Sequence, residues 1–173
     1  MITIERLTSA RLQAVQSELI RLLDDAVASG ASVGFMPPLA PSEALHYWQS
    51  VSADLEREAR ALLVARDDEG IVGTVQLALP LQPNARHRAE VQKLLVHTRA
   101  RRKGVGQALM AAIEALAVQE GRNLLVLDTR QGDDAERLYR RLGYIEAGAI
   151  PLYAQSADGS LHTTIFFYRQ LGS

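Results

Sequence analysis

The sequence predicts a mixed α/β domain folded around one sheet. Strand-like runs alternate along the chain with stretches whose apolar residues fall three and four apart. The order reads strand, two helices, three strands, helix, strand, helix, two strands, the pattern of helices laid on a sheet. The length of 173 residues, 47% hydrophobic and 23% charged, suits one ordinary domain that buries a core.

Residues 2 to 7 alternate as a short strand. Leu12, Val15, Leu19, Leu22, Leu23 and Ala26 then recur at helical spacing, which predicts one helix over 9 to 28, ended by Gly30. Ala31-Ser32-Val33-Gly34-Phe35-Met36-Pro37-Pro38 is an apolar loop. Exposed loops seldom hold Val, Phe and Met together, so it either lines a pocket or packs on the core. A second helix spans Pro41 to about Leu55, with Leu45, Trp48 and Val51 on one side. Residues 60 to 66 and 71 to 79 form a hairpin about Asp67-Asp68-Glu69-Gly70. A strand at 88 to 97 leads to the strongest helix, Gly104 to Glu120, with Val105, Leu109, Ala112, Ile113 and Leu116 as its stripe. Leu124 to Leu127 is a short apolar strand. Asp133 and Glu136 have capping-box spacing at the start of a helix that runs to Leu142, and Gly143 ends it. Residues 144 to 150 and 162 to 169 are the last strands, joined at Asp158-Gly159.

Lys plus Arg total 19 and Asp plus Glu 20, so bulk attraction to nucleic acid or an anionic membrane is not expected. The chain has no Cys, which excludes disulfides, thiolate metal sites and a Cys nucleophile. The four His are scattered, with no two at ligand spacing on one helix, so no metal is expected. No Gly-x-Ser-x-Gly occurs. No segment reaches the ~20 apolar residues of a membrane span and the start lacks a basic, then apolar, leader. The cytoplasm is the default compartment.

The most informative segment runs from Val91 to Gly106, where a strand enters the basic loop Arg99-Ala100-Arg101-Arg102-Lys103 and then Gly104-Val105-Gly106 opens a helix. Glycines admit a ligand close to the backbone, and the first amides of a helix are unsatisfied and favour negative charge. With the basic side chains they make a candidate phosphate or pyrophosphate site; a solvated basic turn is the competing reading. The Walker loop fails because no Lys-Ser or Lys-Thr follows the glycines. The dinucleotide fingerprint fails because its third glycine position is Leu109.

These residues resemble the GNAT superfamily of N-acetyltransferases. Arg101-Arg102-Lys103-Gly104-Val105-Gly106 matches its Arg/Gln-x-x-Gly-x-Gly/Ala pattern, and Ala135 through Leu138-Tyr139 to Gly143-Tyr144 matches its later motif. Gly30 to Met36, Arg88 to Leu94, Leu127-Asp128-Thr129 and Asp158 to His162 are similar to the tabtoxin-resistance acetyltransferases of that superfamily, which acetylate a β-lactam amino acid. The chain departs from the superfamily pattern at three positions. Thr98 stands where Pro is usual, Arg102 where Gly is common, and Gly132 where Asn often precedes the last motif.

The resemblance implies a central, mostly antiparallel twisted sheet of about seven strands flanked by about four helices. It implies acetyl-CoA as co-substrate, lying between the strand at 90 to 96 and that near 124 to 127. Backbone groups of Leu94, Leu95 and Val96 would pair with its pantetheine arm. The segment Arg101, Arg102, Lys103, Gly104, Val105, Gly106 and Gln107 would hold its pyrophosphate. An amine attacks only without its proton, and a free alkylammonium has a pKa near ~10, so a base is useful. Glu90 is the first candidate, sharing a strand face with Gln92; an ordinary polar strand end is the alternative. Tyr139 matches the superfamily's general acid toward the CoA thiolate, although its stripe with Ala135, Leu138 and Leu142 also suits core. Asp128 ends an apolar strand, where α/β folds often place site residues, and either meets the substrate ammonium or caps a turn.

The expected activity is therefore acetylation of the primary amine of a small molecule, with toxin resistance as one use. A polyamine, an aminoglycoside or a protein amine is the alternative acceptor. A non-catalytic acyl-CoA-binding module is the alternative class. The sequence leaves a homodimer open.

Overall fold

A computed structural model describes residues 1–172. Seven strands form one sheet: β1 (Thr3–Arg6), β2 (Arg60–Asp67), β3 (Gly70–Ala78), β4 (Arg88–Val96), β5 (Leu124–Arg130), β6 (Ile145–Gln155) and β7 (Leu161–Gln170). Their order across the sheet is β1-β2-β3-β4-β5-β7-β6, antiparallel everywhere except between β4 and β5. Helices α1 (Ser9–Ala14), α2 (Gln16–Ala28) and α3 (Pro41–Glu56) cover one face, and α4 (Val105–Gln119) covers the other. A fifth helix, α5 (Asp134–Arg141), follows β5.

Alternation within the strands sorts the two cores. Ala61, Leu63 and Ala65 of β2 pack with α4, while Leu62 and Val64 pack with α1 to α3. The stripe of α4 is buried at Val105, Leu109, Met110, Ile113, Leu116 and Ala117. Gly73 of β3 lets its first turn approach: a Cβ there would lie 2.9 Å from Leu109 Cδ1 and from the Leu95 carbonyl. Any side chain at 73 would push the N-terminus of α4 off the sheet.

Two features of β4 open the middle of the sheet. Its pairing with β5 ends at Glu90↔Val126, so beyond that point the β5-facing edge of β4 has no strand partner. A bulge also interrupts its pairing with β3. Two residues of β4, Lys93 and Leu94, lie opposite the single Val75 of β3, and Lys93 takes φ +50°. The bulge reverses the alternation. Ala89 and Val91 face α4 before it, Leu94 and Val96 after it, and Leu95 joins the opposite core.

Three sequence expectations need correction. The helix over 9 to 28 is two helices, because Val15 leaves helical geometry (φ −112°, ψ 14°) and its amide is shared between the Arg11 and Leu12 carbonyls. The apolar face continues across the break, which periodicity therefore does not register; five helices result instead of four. β5 continues past Leu127 to Arg130, so Asp128 lies within the strand. β6 continues past Ile150 to Gln155. It is an exposed edge strand, which tolerates Pro151 and shows little apolar alternation. No helix is long and apolar enough to cross a membrane among the described residues.

Candidate functional site

Two adjoining cavities open along the gap between β4 and β5. The first, of about 630 Å³, lies at the N-terminus of α4. Gly104 begins that helix in the left-handed region (φ +81°) with no side-chain cap. The first intrahelical bond is donated by Ala108, to the Gly104 carbonyl, so the amides of Val105, Gly106 and Gln107 lack helical partners. A Cβ on Gly104 would touch nothing within 4 Å, and one on Gly106 would come no nearer than 3.5 Å to Leu138. The protein leaves the space over these amides open, as an anion requires.

The lining includes Leu94, Leu95, Val96, Arg101, Arg102, Gly104, Val105, Gly106 and Gln107, all expected from sequence. Lys103, also expected, is exposed and is not part of the lining. The basic loop divides its work. Arg99 is drawn away by Asp67, whose carboxyl it holds down to about 2. Arg101 donates to the Val96 carbonyl (3.0 Å) and the Ser29 hydroxyl (2.6 Å), tying β4 to the end of α2. Arg102 stays exposed at φ +60°, a left-handed conformation at a position where the superfamily pattern favours Gly. Thr98 has a structural task that Pro would not perform: its amide and hydroxyl both donate to the Asp25 carboxylate (2.9 and 2.7 Å). Arg137 and Arg141 of α5, four apart on one helical side, add cations that sequence reasoning missed.

The second cavity, of about 840 Å³, shares Gly30, Ala31, Leu94, Arg130, Asp133 and Ala135 with the first. Glu90, Asp128 and Tyr139 all line it. Glu90 pairs with Val126 across the parallel ladder, so Asp128, two residues further along β5, projects from the same face. Burial and the charge of Glu90 raise the Asp128 carboxyl above its ordinary value, against the pull of Lys93. Tyr139 is 6% exposed, its ring tilted against Tyr144 and Phe167. Burial, then Asp128, pushes its phenol far above the ordinary value, which keeps it protonated. It is both core and cleft wall.

The apolar loop at 31 to 37 lines this cavity, with Val33 and Phe35 also packed on the core beneath. A polar network holds Gln92 of the lining in place. Arg60 donates to the carbonyl oxygens of Gln76 (2.7 Å) and Gln92 (2.8 Å) and pairs with Asp54, while Tyr47 exchanges hydrogen bonds with Gln76. Gln76 is fully buried, and its amide oxygen and nitrogen both find partners.

Sequence reasoning also missed Lys93, Arg130 and Tyr153. Arg130 donates to Asp133 and Ser156 and to the Gly30 carbonyl, each at 3.0 Å, joining β5, the β6–β7 hairpin and the apolar loop. Tyr153 reaches the cleft through a large bulge in β6 and packs edge-on against Phe166. The capping box expected at Asp133 and Glu136 does not form: Arg130 takes the Asp133 carboxylate, and Glu136 accepts instead from the Gly132 amide (2.7 Å). Among the described residues no three His, Asp or Glu side chains gather as a metal site.

A family profile described as the acetyltransferase (GNAT) family matches residues 29–144. An uncharacterized N-acetyltransferase of Azospirillum brasilense is 32% identical over 132 residues, 75% of this chain and 76% of its own. A ribosomal-protein-alanine N-acetyltransferase structure from Brucella melitensis superposes with a TM-score of 0.77 at 26% identity, covering 98% of this chain and 99% of that one. A structure from Salmonella typhimurium, assigned as an acetyltransferase and solved with its cofactor acetyl-CoA, gives 0.78 at 18% identity, covering 100% and 95%.

Proposed function

The chain belongs to the GNAT acetyltransferase family, acetyl-CoA-dependent N-acetyltransferases, and on that premise we propose that it acetylates the primary amine of a small, amino-acid-like molecule. The supporting observation is the continuity of the two cavities. An anion cradle at α4 runs along the unpaired edge of β4 into a cleft that holds Glu90, Asp128 and Tyr139.

The amides of Val105, Gly106 and Gln107, with Arg102, would hold the pyrophosphate, and Leu94 to Val96 would offer backbone groups to the pantetheine arm. Acetyl-CoA supplies the acetyl group as a thioester, with the CoA thiolate as leaving group. Glu90 takes the amine proton, directly or through one water, and Asp128 beside it holds the ammonium before deprotonation. Tyr139 presents its hydroxyl proton to the departing sulfur. Arg60 orders Gln92, which shares a strand face with Glu90. Acetylation of a β-lactam amino acid, as in the tabtoxin-resistance enzymes, falls within this substrate class.

The test is CoA thiol release from acetyl-CoA with a panel of acceptors. It would hold the tabtoxin-derived β-lactam amino acid, free amino acids, polyamines, an aminoglycoside, a lysine peptide and a peptide with N-terminal alanine. Turnover of amino-acid-like amines is expected. Turnover of a peptide or polyamine alone would replace the acceptor class. Binding of acetyl-CoA with no release from any acceptor would favour an acyl-CoA sensor.

A further inference from the structure

We propose that Lys93 is the receptor for an anionic group on the acceptor, so that the cleft selects zwitterions: the amine toward Asp128 and Glu90, the carboxylate toward Lys93. The proposal rests on the reading of the second cavity as the acceptor site.

Two cations line that cavity, Lys93 and Arg130. Arg130 is committed, with its guanidinium spread over Asp133, Ser156 and the Gly30 carbonyl. Lys93 is not. Among the described residues its ammonium makes no hydrogen bond and no ion pair within 4.0 Å. It lies 5.7 Å from the centroid of the Tyr47 ring, and a Cβ on Gly34 would be 3.8 Å away. A half-buried ammonium with only an aromatic face beneath it is poorly compensated. Burial, then Arg60, lowers its pKa, while Asp128 and Glu90 pull the other way. A bound carboxylate would satisfy it.

The bulge places it there. With regular pairing, residue 93 would point toward α4; at φ +50° it reaches instead under the apolar loop, on the side of Glu90 and Gln92. The cleft thus presents carboxylates at Glu90 and Asp128 and one uncommitted cation, the complement of a molecule carrying both an ammonium and a carboxylate. The same cation works against polyamines, whose second positive charge would meet Lys93.

The experiment uses the full chain loaded with CoA. Titration calorimetry measures binding of L-methionine, L-phenylalanine and the β-lactam amino acid, each beside its carboxamide. Wild type is expected to favour the carboxylates. In Lys93→Met the carboxylate-to-carboxamide affinity ratio should fall by about 10- to 100-fold, and Lys93→Arg should restore most of it. CoA binding to each variant, measured in parallel, reports on folding. A ratio unchanged in Lys93→Met, or a wild type that binds neither member of any pair, overturns the proposal. A collapsed ratio without thiol release from any acceptor would keep Lys93 as anion receptor while sinking the transfer reaction. Equal losses for both members, with a shifted pH profile of turnover, would make Lys93 a base and overturn the proposal.

Discussion

Replacing Tyr139 by Phe removes one oxygen from a ring that is otherwise enclosed. The ring is 6% exposed and lies 5.8 Å from the Tyr144 ring and 6.2 Å from that of Phe167, centroid to centroid. Its hydroxyl makes no protein hydrogen bond among the described residues, so no partner is orphaned, and the stability change should stay within about 0.5 kcal/mol. Chemistry should suffer far more. A positioned general acid is worth ~10²–10⁴-fold, so a fall in kcat of about 10²–10³ is expected, roughly 3–4 kcal/mol on the barrier. Because burial and Asp128 hold the phenol well above its ordinary value, the native enzyme keeps this proton throughout the neutral range. The loss should therefore be the same from about pH 6 to pH 9. Thiol release at saturating acetyl-CoA and acceptor, with acetyl-CoA affinity and Tm measured in parallel, separates the effects. Near-wild-type kcat would refute the assignment. So would a drop in kcat accompanied by an equal loss of acetyl-CoA affinity, which would make the hydroxyl a binding group.

Local geometry sets three further outcomes. Arg102→Gly should raise stability by about 0.5–1 kcal/mol, since a left-handed L residue costs roughly 1–2 and the added freedom of the unfolded glycine offsets part of it. The same variant should weaken acetyl-CoA binding about 2- to 5-fold, most at low salt; a lower Tm would contradict the strain argument. Thr98→Pro restores the usual superfamily residue yet should destabilise by about 1–2 kcal/mol in urea melts, because Asp25 loses two donors; an unchanged midpoint would show those bonds to be inconsequential. Tyr139 and Tyr144 are both held neutral, foremost by burial, so each contributes stability that is complete below the unfolded value near ~10 and is lost as pH rises toward the folded one. The urea midpoint should fall steeply between about pH 10 and 11, and less steeply in Tyr144→Phe; a flat profile would show that these phenols titrate normally.

Much of the fold was legible because its elements obey simple periods. The stripe of α4 and the hairpin of β2 and β3 are written in the spacing of Leu109, Ile113 and Leu116 and in the turn at Asp67 to Gly70. The candidate anion cradle was legible for the same reason, since Gly104 and Gly106 mark a strand-to-helix junction with open amides. The rest depended on contacts distant in sequence. Nothing near residue 99 indicates that Asp67 removes Arg99 from the cradle, or that Ser29 fixes Arg101. Arg130 gathers partners from residues 30, 133 and 156, only one of which is a sequence neighbour. One signal was present and overlooked. Leu94, Leu95 and Val96 are three consecutive apolar residues after a clean alternation, which is how a bulge reads in a strand.

That bulge and the end of the β4–β5 ladder lie within a few residues of each other, and the candidate site depends on both. If pairing continued past Glu90, β5 would occupy the edge of β4 and the two cavities would be sealed apart. If pairing ended but β4 stayed regular, Leu94 and Val96 would turn toward α2 and α3, and Lys93 would be driven toward the apolar layer under α4. The channel would remain, but its wall would lose the cation that sits opposite Asp128 and Glu90. Opening the sheet makes room for the proposed thioester arm; the extra residue decides which side chains would meet an acceptor at its end. A sheet with the same composition and strand order, regular throughout, would bury the same core and present neither.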